Sequence, residues 1–182
     1  VGVSNNFEDY FDRIQEQRKS FYQEMDSNVE DVWERPYPNK WSVAETVYHL
    51  YLLLRLFRRF SVIYMPIMYP LAVLRKNKPY PTDMNNIYIE YHQKKKKPMN
   101  APLLLNPPKN LPRKKNYDEI KKLLERETNL LKANVLPMDE RIAGQIYYPD
   151  PVAHHPNLPQ SIQLIGIHEQ HHFNLTKDYY LS

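Results

Sequence analysis

Apolar side chains recur at helical spacing in four stretches of the chain, and proline is absent from each. The proline-free windows are residues 1–35, 39–65, 113–136 and 160–182, and all 16 prolines fall outside them. Proline inside a helix removes a hydrogen bond and clashes with the preceding turn, so these windows are where helices are expected. In the first window Phe7, Phe11, Ile14, Phe21 and Met25 share one stripe. The second opens with Ser42-Val-Ala-Glu45, a capping box, and continues with Val43, Val47, Leu50, Leu54 and Phe57. Asn116 and Glu119 make a similar start for the third, followed by Ile120, Leu123, Leu124, Leu130 and Leu131. The fourth is expected to start at Ser161 and to carry Ile162, Ile165, His168, His172 and Leu175 along one side.

Between the second and third windows lie residues 66–112, with nine prolines and many of the lysines. There is no internal repeat, and only three glycines occur, which favours helix over a turn-rich β fold. The expectation is an all-α four-helix bundle, a single domain over residues 1–182, with one long Pro/Lys-rich crossover between helices two and three. A chain of 182 residues is long enough to bury a substantial core in one domain.

Composition removes several chemistries. No cysteine is present, which excludes disulfides, thiolate metal sites and a cysteine nucleophile. The opening VGVSNNFEDYFDR is polar and acidic, unlike a secretory leader, and sets the expectation of a cytoplasmic protein. The longest apolar run, Val62–Leu74, is too short to span a bilayer and contains two prolines; it reads as core rather than as a membrane-surface segment. The net charge of +4 conceals an asymmetry: Arg75 to Lys122 holds 13 Lys/Arg against 4 Asp/Glu. Such a block can hold an anionic surface. Without the aromatic or glycine interleaving of a nucleic-acid module, it reads as a solvated connector.

The chemistry concentrates near the end of the chain in HEQHH, His168 to His172. Taken literally this is H-E-x-x-H, the signature of zinc proteases. Histidines four apart lie about 40° apart around a helix, so both imidazoles can close on one ion. His171 is the alternative partner for His168, although its rotation fits the apolar stripe less well. A lone histidine on such a stripe is usually a hydrogen-bonded core residue; a pair at this spacing brings metal binding into play. The protease reading needs a third ligand downstream, where the only acidic residue is Asp178. Leu175 stands where the extended protease motif has its helix-breaking glycine. An unbroken helix turns Asp178 about 240° from His172. His49, alone among apolar neighbours in TVYHLYLLL, is the better third ligand, because bundle metal sites are built from facing helices. Three histidines leave a position open, the pattern of catalytic sites. Glu45, one turn before His49, is within reach of such a site, but capping is its favoured use.

Two blocks carry a resemblance. KWSVAETVYHL (Lys40–Leu50) and HPNLPQSIQLIGIHEQHH (His155–His172) resemble the tryptophan-serine helix start and the His-Pro loop with H-x-x-x-H of the DinB/YfiT-like superfamily. That superfamily includes the bacillithiol and mycothiol S-transferases. The resemblance implies a metal triad of His49, His168 and His172, a divalent ion such as zinc or nickel as cofactor, and S-transfer as the chemistry. Two positions depart from the pattern: Leu175 stands where a glutamine is frequent, and Pro159 where a glycine is more familiar. Residues 66–115 do not align.

The function expected is therefore a metal-dependent transferase activating a small thiol. Metal-dependent hydrolysis at the same site is the nearest alternative. A non-catalytic, metal-stabilised binding protein using the basic crossover is the third. The expected partner is a small-molecule substrate, in particular a low-molecular-weight thiol, with neither nucleic acid nor membrane; a homodimer is compatible with this reading. No catalytic acid or base is assigned.

Overall fold

The computed structural model describes residues 6–90, 103–151 and 153–181. Four long helices form: α1 (Asn6–Asn28), α2 (Val43–Arg75), α3 (Tyr117–Val135) and α4 (Leu158–Leu181). Short helical segments at Leu103–Leu105, Leu111–Lys114 and Glu140–Ala143 sit in the connections, and residues 87–90 are also helical. Among the described residues the only β pairing is an isolated bridge between Tyr147 and Asn157. His92 and Lys94–Lys97 lie outside the described residues. The all-α bundle expected from the periodicity is the one observed.

Helix starts follow local chemistry. The Ser42 hydroxyl accepts the Glu45 N–H at 3.2 Å, and the Glu45 carboxylate accepts the Ser42 N–H at 2.9 Å. Asn116 and Glu119 repeat the exchange at 2.8 and 2.9 Å. Each box satisfies two donors that a helix terminus leaves free. The fourth helix starts at Leu158, three residues before the expected Ser161. Asn157 and Gln160 form a third reciprocal pair, at 3.0 and 3.1 Å, and Pro159 falls in the first turn, where a missing N–H costs little.

The second helix departs furthest from expectation. It was expected to end before Pro66, yet it runs to Arg75 with Pro66 and Pro70 inside. Both prolines are exposed. The carbonyls of Val62 and Pro66, which lose a donor, therefore lie on a side where water can serve them. The crossover accordingly starts at residue 76 instead of 66. The run Val62–Leu74, read as core, is largely surface. Only Met65 and Ala72 in it are buried, whereas Ile63 and Ile67 are each 68% exposed.

Directions follow from side-chain pairs. Arg18 meets Glu169, Phe21 stacks on Phe173 and Lys177 reaches Glu24, so α1 and α4 are parallel. Tyr22 meets Tyr117 and Asp12 meets Lys132, so α3 opposes α1. Thr176 bonds Thr46 and His168 meets His49, so α2 opposes α4. Consequently α2 and α3, which pack together through the Arg58–Glu127 ion pair, run the same way. A tight turn cannot join parallel neighbours, which accounts for the long crossover.

The core is built from the expected stripes. Phe7, Phe11, Ile14, Phe21 and Met25 are buried on α1, and Val43, Val47, Leu50 and Leu54 on α2. On α3, Ile120, Leu124 and Leu131 are buried, but Leu130 is partly exposed; Glu127 and Thr128 complete the inner face. Burying each large apolar side chain contributes about 1.5–3 kcal/mol.

Candidate metal centre

The capping box sets the rotation of α2, and His49 points into the bundle, buried. Its Nδ1 lies 2.9 Å from the Leu105 carbonyl. A carbonyl only accepts, so Nδ1 carries the proton and donates it, leaving the lone pair on Nε2. That Nε2 lies 3.3 Å from Nε2 of His168 on the facing helix. His172, one turn further along α4 and half-buried, closes the group: one ligand nitrogen from each of the three rings lies within 4.8 Å of the others.

These residues fit a divalent cation. Nitrogens about 2.0–2.1 Å from a tetrahedral ion are about 3.3–3.4 Å apart, the spacing seen between His49 and His168. Burial drives the rings towards the neutral, ligating form. It pushes His168 down to about 3, with the neighbouring His49 and His171 adding to the effect. His172 is driven lower still by burial and then by His168, His49 and His171. Burial also lowers His49, against the opposing bond to Leu105. Among the described residues, the buried His168 Nδ1 has no hydrogen-bond partner. Among the described residues this is the one such grouping of histidines and carboxylates.

Aromatic rings frame the cluster. Trp41, just before the α2 cap, lies 4.6 Å from the His49 ring and 6.0 Å from that of His172. Tyr88, from the crossover, stacks on His171 at 4.0 Å and sits 6.0 Å from His168; burial pushes its hydroxyl pKa up. His171 is thus held in a stack outside the triad, so His172 is the partner that α4 supplies. An open groove of about 1800 Å³ adjoins the cluster, with Leu53, Leu56, Phe57 and Phe60 along α2 and Ile87, Tyr88 and Leu105 from the crossover.

The remaining candidates lie elsewhere. Glu169, the glutamate of H-E-x-x-H, is buried in an ion pair with Arg18, its oxygens 2.5 and 2.8 Å from the guanidinium. Arg18 also donates to the Thr128 hydroxyl at 2.7 Å. Asp178 is exposed on an α4 that continues unbroken to Leu181, outside the cluster. The zinc-protease arrangement is therefore not built. Both oxygens of Glu45 are engaged, by Ser42 and by Arg35 at 2.5 and 2.8 Å. His154 bonds Glu90 and His155 is exposed.

Sequence reasoning missed the Leu105 carbonyl, Tyr88 and the Arg18–Glu169 pair. Only the last left a signal: Arg18 falls on the apolar α1 stripe between Ile14 and Phe21. No helix among the described residues is long and apolar enough to cross a membrane. No curated protein and no solved structure matches the chain. The family model of the DinB superfamily matches residues 11–175, a span holding the four-helix core and all three clustered histidines. The chain belongs to the DinB superfamily.

Proposed function

We propose that this protein binds one divalent ion, zinc or nickel, through His49, His168 and His172, and joins a low-molecular-weight thiol to an electrophilic small molecule. The observation that carries the reading is the convergence of three neutral imidazoles beside an open, largely apolar groove. A divalent ion held there lowers the pKa of a bound thiol, supplying a nucleophile at neutral pH. The chain needs no nucleophile of its own, and it contains no cysteine. In the reaction the thiol sulfur forms a bond to the electrophilic carbon. The leaving group departs with its electron pair, and the thiol proton passes to solvent.

The residues divide the remaining work. Leu105 holds the His49 tautomer, and the antiparallel α2 and α4 hold the three rings on one point. Leu53, Phe57 and Tyr88 exclude water from one side of the groove and suit an apolar electrophile. Arg13 and Lys40, which line the groove, suit the carboxylates of a small thiol. The test is thiol consumption with a generic electrophile, comparing metal-loaded, chelated and His168→Ala protein. Rates that fall in the second and third support the reading; equal rates in all three sink it.

Hydrolysis is the second reading, because the same open position accepts water. It predicts metal-dependent ester or amide cleavage with no thiol consumed. A non-catalytic, metal-stabilised binding protein would instead lose thermal stability on chelation and show neither activity.

A further inference from the structure

The C-terminal half of α2 carries a second apolar face that packs against nothing described. Leu56, Phe60, Ile63, Ile67, Leu71 and Leu74 are 46%, 43%, 68%, 68%, 38% and 83% exposed. At 100° per residue these six fall within about 80° of one another around the helix. They form a continuous stripe about 27 Å long. Met65 and Ala72 face the interior, so the stripe is a separate, outward face of the helix.

The charges beside it have one sign. Arg55 and Arg59 flank one edge and Arg75 the other, and no Asp or Glu occurs in the sequence between Glu45 and Asp83. Arg58, on the opposite side, is paired with Glu127; Arg59 and Arg75 are exposed and make no ion pair among the described residues. In a second copy docked antiparallel across this stripe each edge would meet the same edge of its partner, and with no Asp or Glu on either edge the arginines would find no opposite charge there. An apolar stripe edged by arginine suits a surface that is apolar in depth and anionic at the rim.

We propose that the outer face of α2, from Leu56 to Leu74, lies on an anionic lipid surface. The helix rests in the headgroup region without crossing, in keeping with its two prolines and its arginines. The expectation of no membrane partner rested on reading Val62–Leu74 as core, and the exposure of that run removes its ground. Leu56 and Phe60 belong to the stripe and also line the groove beside the histidines, so the docked face and the groove are continuous. The proposal is independent of what the metal centre does.

The test is co-sedimentation of the full chain with vesicles of phosphatidylcholine alone and of phosphatidylcholine mixed with phosphatidylglycerol. Partition onto the mixed vesicles should be roughly tenfold or more the stronger and should weaken with salt. Ile63→Ser with Ile67→Ser should abolish it. Arg55→Gln with Arg59→Gln and Arg75→Gln should remove the preference for the mixed vesicles. Far-UV circular dichroism and metal uptake verify that each variant still folds. Protein left in solution with both vesicle types would overturn the proposal, as would equal sedimentation with both. A concentration-dependent dimer in light scattering that the serine variant dissolves would also overturn it, assigning the face to a second copy.

Discussion

His168 and Glu169 are neighbours in sequence yet belong to two buried polar clusters of opposite character. Glu169 joins Arg18 and Thr128 in a set where charge meets charge and the hydroxyl is shared, with Thr128 also donating to the Leu124 carbonyl at 2.9 Å. His168 joins His49 and His172 in a set of ring nitrogens that converge, and among the described residues its buried Nδ1 has no hydrogen-bond partner. The first set is complete as folded and ties α1, α3 and α4 together. The second is a grouping that could hold a cation. Burial alone does not mark a site; the convergence of ligand-type nitrogens is the added signal.

The sharpest way to break this contrast is to remove one member of each set. Alanine at His49, His168 or His172 should abolish stoichiometric zinc or nickel, measured by elemental analysis of protein purified without a histidine tag. His171→Ala, His154→Ala, His155→Ala and Asp178→Ala should keep it. Full occupancy in His49→Ala would show that the site does not bridge two helices.

Glu169→Ala should act on stability instead. Leaving Arg18 charged and unpaired in the interior should cost about 3–5 kcal/mol in urea unfolding, with metal stoichiometry unchanged in the folded protein. Loss of metal without loss of stability would merge the two clusters into one functional unit. Replacing both partners, Arg18→Leu with Glu169→Leu, should recover most of that loss, because an apolar pair leaves no buried charge behind. Thr128 keeps its bond to Leu124 in that variant. A double variant as unstable as Glu169→Ala would mean that the pair does more than satisfy itself.

The smallest expected effect concerns Glu45. Burial tends to raise its pKa, but the bonds from Arg35 and Ser42 outweigh this and hold it below its usual 4.5. A carboxyl depressed by folding stabilises the native state above the unfolded pKa. That contribution is lost as pH falls through the lower folded value. Glu45→Gln keeps the capping geometry and removes the charge, so its unfolding free energy should lie below wild type at neutral pH. The two should converge in acid.

Much of this was legible in the sequence. Stripes at helical spacing located all four helices, and the capping boxes placed the starts of α2 and α3. The pairing of His49 with His168 and His172 followed from spacing and from isolation among apolar neighbours. The α2 overrun was not legible, because a proline ends a helix only where nothing else serves the freed carbonyl, and solvent exposure is a tertiary property. Leu105 was hidden for a different reason: it contributes a backbone carbonyl, which every residue has. Arg18 and Glu169 could have been paired, since each carries a charge to the inner side of its helix.

His49 and His168 stand 119 positions apart in the chain. Bringing such distant residues together in an unfolded polymer has an entropic cost of about 4 kcal/mol from chain length alone. His168 and His172, one turn apart, carry almost none of that cost and can grip an ion weakly before anything else has formed. The third nitrogen arrives only when α2 and α4 have docked and the crossover has delivered its carbonyl. The proposed metal capture is thus expected late in folding, and the rate at which an added ion becomes resistant to a chelator should follow the slowest step of tertiary assembly, not the formation of α4.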